Sequence, residues 1–241
     1  MTFLTRWWAE FKRRQQYAAH TREPFFELAA RYLPDEDAVV VDVGAGDGSF
    51  ARSQDLAERY HKLYLLDHNP TTVGALKEEF PDAQEYRAPE QLPFKDGEVA
   101  FIHLSHIVEH LESKELYAFL AECDRVLGDG GVLVISAPLL WDRFYDDLSH
   151  VKPYTPTVFV NYLSSGRVNA SAETISRVYR VEDLVYRFRV TEGVAPLSSR
   201  FFIIDVLLRA SRILLAWLGF RRYEKTGFTL VLRKSDGGIA V

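Results

Sequence analysis

The stretch AVVVDVGAGDGSF, residues 38–50, decides the fold. Its first six residues form a nearly continuous β-branched run, which suits a strand buried on both faces of a parallel sheet. Gly44, Gly46 and Gly48 follow at once, spaced by Ala45 and Asp47. A glycine cluster alone is only a tight turn. Placed between a buried strand and a helical run starting at Ser49, it becomes a loop whose backbone can approach a ligand closely. The helix expected over residues 49–59 would offer unpaired N–H groups and a partial positive charge to a carboxylate.

Outward from this loop the chain alternates strand and helix, the pattern of an open α/β sheet. A second strand over 62–66 leads into Asp67 and His68, and a carboxylate there can accept both hydroxyl hydrogens of a ribose. Thr71 or Thr72 can cap the next helix, which Pro81 ends. Strands follow at 83–86, 99–104 and 132–136. Between the last two, Ser113 can cap a helix whose Leu116, Phe119, Leu120, Cys123, Val126 and Leu127 form one apolar stripe. Upstream lie two helical runs, near 3–18 and 24–33, with Thr21 and Pro24 as start signals for the second.

The expected architecture is a Rossmann-like α/β fold with a central, mostly parallel sheet flanked by helices. One domain over 1–241 is expected: a helical cap (1–30), a ligand-binding half (31–138), a lid or insertion after the fifth strand (139–177) and a closing part (178–241). The closing part reads as a helix at 182–188, a strand at 189–192, an apolar helix at 201–218 and a last strand at 228–233.

Composition narrows the function. The 241 residues are 47% hydrophobic and 26% charged, with a formal net charge of -5, so no general attraction to nucleic acid is expected. A single cysteine, Cys123, forbids an internal disulfide and fits a reducing cytoplasm. Charges at Arg6, Glu10, Lys12, Arg13 and Arg14 interrupt the start of the chain, unlike a secretory signal. Asp205, Arg209 and Arg212 interrupt the longest apolar stretch, 201–220, which argues against a membrane span. A dinucleotide fingerprint G-x-G-x-x-G needs glycine at 49, where Ser49 stands, so the loop disfavours NAD.

VVVDVGAGDGSFA (39–51) resembles the first motif of class I S-adenosylmethionine-dependent methyltransferases of the type 11/23 kind, and LYLLDHNP (63–70) resembles their second. LPFKDGEVAFIHLSHIVEHL (92–111) is similar to the segment around the family's fourth strand, and AECDRVLGDGGVLVISAP (121–138) to its fifth helix-turn-strand unit. The resemblance implies S-adenosylmethionine as cofactor. It makes Gly44, Ala45, Gly46 and Gly48 the methionine-side loop, Asp42 its supporting acid and Asp67, beside His68, the ribose ligand. Ser105 and His106 fall beside the reactive end. Ala88 stands where the family often has an acid for the adenine amino group, which shifts the expected adenine contacts to Glu90 and Gln91.

Methyl transfer to a hydroxyl needs alignment and a proton acceptor. His150, in LSHVKPYTP (148–156), is the preferred base and His106 the other candidate. Segments of the form H-V-x-x-Y/F-T follow the fifth strand in a subset of these methyltransferases similar to enzymes of cell-surface glycan synthesis. The implied acceptor is an oxygen on a small molecule, sugar or lipid-linked glycan. Asp142, Asp146 and Asp147 could orient a sugar or ligate a metal, although a solvated loop also accounts for them.

Two rival readings stand beside this one. His106, Glu109 and His110 match H-x-x-E-H, the pattern of a zinc hydrolase, whereas the methyltransferase reading expects no metal. A non-catalytic S-adenosylmethionine-binding module is the other. Trp7, Trp8 and Phe11 among basic residues, together with 201–220, suit peripheral contact with an anionic membrane. The same apolar residues equally suit a cap over the cofactor site and a helix packed on the sheet.

Overall fold

The computed structural model describes residues 3–19, 21–164, 173–193 and 197–235. The elements run α1 (Phe3–Gln16), α2 (Glu23–Ala30), β1 (Val39–Val43), α3 (Ser49–Ser53), α4 (Leu56–Arg59), β2 (Leu63–Asp67), α5 (Pro70–Leu76) and β3 (Gln84–Glu85). They continue with β4 (Val99–Ser105), α6 (Ser113–Val126), β5 (Leu127–Pro138), α7 (Pro156–Leu163), β6 (Tyr179–Glu192), α8 (Phe202–Trp217) and β7 (Arg221–Lys234). Among the described residues, seven strands form one sheet in the order β3-β2-β1-β4-β5-β7-β6. Pairing is parallel from β3 through β5, and β7 joins β5 antiparallel. This is the Rossmann-like α/β fold expected from the sequence, and the strand order reverses at β1, beside which β4 lies.

All five residues of β1 are buried, as its unbroken apolar run requires. One face of the sheet, through Val40, Leu65, Phe101 and Val134, packs on Phe26, Ala29, Phe50 and Ala51 of α2 and α3. Helix α6 buries Leu116, Phe119, Leu120, Cys123 and Val126, as its stripe demands. These burials position the carboxyl ends of β1, β2 and β4 next to one another.

Local departures have local causes. The run expected as one helix over 49–59 is two short helices, because Asp55 between them sits at φ 51°, outside helical space. Asn69, not Thr71 or Thr72, caps α5: its side chain accepts from both of their N–H groups while Pro70 takes the first helical position. Ser113 is the first residue of α6, not its cap. Glu112 occupies the cap and exchanges side-chain and backbone hydrogen bonds with Glu115. The expected helix at 182–188 is instead the middle of β6. Leu184, Val185 and Phe188 mimic helical spacing, but Val181, Val185, Tyr186, Phe188 and Val190 are strand formers. The strand after α6 starts at Leu127, so Gly128, Gly130 and Gly131 lie inside β5.

The chain divides into two compact units, residues 1–21 with 186–226 and residues 22–185 with 227–241, and the division falls within β6 and β7. In the smaller unit the Phe188 N–H donates to the Tyr17 carbonyl at 3.0 Å and the Gly193 N–H to the Phe220 carbonyl at 2.7 Å. Helix α8 has no buried residue. The expected lid holds a 3-10 turn at Phe144–Asp146 and α7; its residues 165–172 lie outside the described residues.

Candidate active site

A cavity of about 410 Å³ opens over the carboxyl ends of β1, β2 and β4. Gly44, Asp67, His68, Tyr86, Arg87, Ala88, Ser105, His106, His110 and Ser149 line it, along with Val43, Ile107 and Leu111. That volume falls in the range of small-molecule sites, roughly 300–1,000 Å³. A larger concavity of about 630 Å³ lies against α6 and α7, away from these strand ends.

Close contacts and left-handed backbone together shape the glycine loop. Gly44 adopts φ +73°, and a Cβ there would lie 2.6 Å from Ile107 Cγ1. Gly46 is also left-handed, at φ +55°, but a Cβ would meet nothing within 4 Å, so its requirement is purely conformational. Gly48, at φ +74°, packs on Leu76 and Phe80, and Ala45 is part of the core; of the loop residues expected to hold the cofactor, Gly44 lines the cavity and Ala45, Gly46 and Gly48 do not.

Asp67 sits at the end of β2, 7% exposed. Its Oδ2 accepts the Gly46 N–H at 2.9 Å and its Oδ1 the Asn69 N–H at 2.9 Å. The two donors fix the carboxylate's plane, and each oxygen keeps a second lone pair for a ligand hydroxyl. The exposed His68 stands beside it, Nδ1 to Oδ1 3.6 Å. Ser105 and His106 complete this rim where β4 ends.

Other expected ligands sit elsewhere. Asp42 is 1% exposed and does not line the cavity; its Oδ1 accepts from His103 Nδ1 at 2.8 Å. The pair follows from register, since Asp42 and His103 are partners across β1 and β4. The His103 ring lies 4.3 Å from that of Phe50, so a buried carboxylate and a buried imidazole satisfy each other inside an aromatic layer. Sequence reasoning passed over His103, although its position two residues beyond Phe101 on a buried strand was the available signal. Glu90 and Gln91 are exposed and outside the cavity lining, where Tyr86, Arg87 and Ala88 stand in their place.

The histidines divide into roles. His106 has φ +57°, a left-handed conformation that turns the chain off the end of β4. Its Nδ1 lies 3.0 Å from Oε1 of Glu109, which is 1% exposed. With the Nδ1 proton donated to the carboxylate, Nε2 is the ring's remaining acceptor. His110 also lines the cavity, and its Nδ1–H donates to the Ser149 carbonyl at 2.9 Å. His150 is not among the lining residues; its ring packs 5.1 Å from that of His110, and its Nδ1–H donates to the Phe144 carbonyl at 2.6 Å. The H-x-x-E-H reading needs His106 and His110 to share an ion with Glu109 as base, but His106 is bonded to Glu109 itself. Asp146 pairs with Arg143, and Asp147 accepts from the Ser149 hydroxyl and N–H, bonds that hold its carboxyl below its ordinary value.

Residues 41–135 match a family model described as a methyltransferase domain. A protein of Mycolicibacterium smegmatis named a probable S-adenosylmethionine-dependent methyltransferase is 29% identical over 187 residues, covering 77% of this chain and 68% of that one. A solved S-adenosylmethionine-dependent methyltransferase of Archaeoglobus fulgidus superposes with TM-score 0.58 at 20% identity, covering 93% of this chain and 99% of that one. The YcgJ protein of Bacillus subtilis does so with TM-score 0.56 at 14% identity, covering 88% and 97%. The likeness to the two structures is one of fold. The matched model and the relative imply S-adenosylmethionine as cofactor, and the cavity over Gly44 and the doubly anchored Asp67 fits it.

Proposed function

We propose that this class I S-adenosylmethionine-dependent methyltransferase methylates an oxygen on a hydroxylated small molecule, a sugar or a lipid-linked glycan. The observation that carries the reading is His106: a ring on the cavity wall with one nitrogen held by a buried carboxylate and the other left as an acceptor. Asp67 would hold the ribose hydroxyls, the Gly44 loop the methionine part, and Tyr86 to Ala88 the adenine side. When bound, S-adenosylmethionine supplies a methyl on a sulfonium, open to in-line displacement.

Glu109 fixes the ring's tautomer and aim, the part a buried acid plays in a catalytic triad. His106 Nε2 would then take the proton of the acceptor hydroxyl as that oxygen is methylated, and Glu109 would steady the imidazolium so formed. His106 is preferred to His150 because it lines the cavity and His150 does not.

His106→Asn tests this, because asparagine tolerates the left-handed backbone and separates chemistry from strain. Turnover with a responsive glycan acceptor should fall about 10²–10⁴-fold. Calorimetric affinity for S-adenosylhomocysteine should hold. Unchanged turnover would remove His106 as base, and binding without turnover in the wild type across a broad acceptor panel would favour a non-catalytic module.

A further inference from the structure

We infer that Glu109, His110 and His150 form a binding site for a divalent first-row transition cation beside the methyl-transfer cavity. One ligand atom from each of the three lies within 4.8 Å of the others. The second carboxylate oxygen of Glu109, Oε2, is buried and has no hydrogen-bond partner, while Oε1 is taken by His106. A carboxyl oxygen so enclosed needs a donor or a cation.

The two histidines are prepared as ligands. Each gives its Nδ1–H to a backbone carbonyl, Ser149 for His110 and Phe144 for His150, which leaves Nε2 with its lone pair. Metal-ligating histidines are oriented by that kind of bond. The Val151 and Lys152 N–H groups both donate to the Glu109 carbonyl, at 2.8 and 3.2 Å, and fasten the segment carrying His150 against Glu109. Two imidazoles and one carboxylate suit Zn²⁺, Mn²⁺ or Fe²⁺ and leave coordination positions open. Ligand atoms about 2.0–2.2 Å from such an ion require the partly exposed rings to close inward slightly. Because His110 and Ser149 line the cavity, an open position there would take water or an acceptor oxygen.

The full chain, stripped with chelator and dialysed against Zn²⁺ or Mn²⁺, should hold close to one ion by elemental analysis. His150→Ala and Glu109→Gln should each weaken binding at least tenfold, with S-adenosylhomocysteine affinity reporting an intact fold. If Glu109→Gln does not fold, His150→Ala alone decides. A chain that stays metal-free at micromolar ion, or a stoichiometry indifferent to His150→Ala, overturns the site whatever the acceptor proves to be.

Independently of the metal, the structure assigns the smaller unit a second role, docking on an anionic lipid surface. Its sequence carries twelve Arg or Lys against four Asp or Glu, whereas the remainder carries seventeen against thirty. Helix α8 is inverted relative to a helix of a soluble protein: its partly covered line is Asp205, Leu208, Arg212, Leu215 and Ala216. Its outward residues include Phe202, Ile203, Leu207 and Trp217, exposed by 81%, 73%, 63% and 82%. Helix α1 likewise exposes Trp7, Trp8 and Phe11 among Arg6, Lys12, Arg13 and Arg14. Apolar and basic groups together match the interface of an anionic bilayer, and no described helix is long and apolar enough to cross one.

The full chain should float with phosphatidylglycerol-containing vesicles, float less at high salt, and stay down with phosphatidylcholine alone. Combined Phe202→Ser, Ile203→Ser and Leu207→Ser should abolish flotation and spare S-adenosylhomocysteine binding. Failure to float with the phosphatidylglycerol-containing vesicles overturns the assignment, as does a dimer without flotation that the same variant dissolves.

Discussion

Helices α6 and α8 are similar in length and both amphipathic, yet they use their apolar residues in opposite ways. Helix α6 turns Leu116, Phe119, Leu120, Cys123 and Val126 into the larger unit, whereas α8 buries nothing and holds Ile203, Leu207 and Trp217 outward. An amphipathic sequence specifies that a stripe will be covered; it does not specify by what. In the larger unit the cover is the sheet, and folding stability depends on the stripe. In the smaller unit the same chemistry contributes little to folding and is available for binding.

Mutations can break this contrast. The largest loss is expected inside the larger unit, where His103→Ala leaves the Asp42 carboxylate buried without its partner. Chemical denaturation should show a loss of about 3–5 kcal/mol, the sum of a buried acceptor left without its donor and the cavity left by the ring. A loss below 1 kcal/mol would mean that Asp42 finds other donors. Asp67→Ala acts at the cavity: one or two charge-assisted hydrogen bonds, about 1.5–3 kcal/mol each, correspond to at least a tenfold loss of S-adenosylhomocysteine affinity by calorimetry. Normal binding would displace the ribose from β2.

A smaller effect should appear with acid. Glu122 is held below the usual carboxylate value, first by its hydrogen bond from Arg125, and Arg125 also reaches the Leu92 and Phe94 carbonyls. With the folded value depressed, this contribution is complete above the unfolded value near 4.5 and is lost as pH falls through the folded one. Glu122→Gln should therefore flatten the loss of stability below pH 4.5. The smallest effect belongs to α8, where Leu207→Ser should change unfolding free energy by no more than about 0.5 kcal/mol, as at ordinary surface positions. A loss like that expected for Phe119→Ala, about 3–5 kcal/mol, would show α8 to be a packing helix after all.

Much of the larger unit was legible because its signals are local. Residues 38–50 announce a buried strand and a loop needing left-handed backbone, and both features are present at Val39–Val43, Gly44 and Gly46. Asp67 was legible because a strand end and an acid coincide in sequence. Capping was less so: Asn69 and Glu112 outcompeted neighbouring hydroxyl residues through side-chain reach, which pattern alone does not rank. Residues 182–188 misled because three apolar residues at helical spacing also fit a strand, and pairing within the sheet decided between them.

Sequence by itself determined the cofactor half: the order of strands and helices, the glycine loop, the acid after the second strand, and a soluble-style stripe on α6. These depend on periodicity and on backbone freedom, which each segment carries within itself. Only tertiary structure decided that Asp42 answers His103, that His106 rather than His150 meets the cavity, and that His150 joins Glu109 and His110. Those relations join residues up to 61 positions apart, and strand register and the docking of Val151 and Lys152 on Glu109 bring them together. The outward face of α8 was likewise undecided, because amphipathicity is blind to which side is left uncovered.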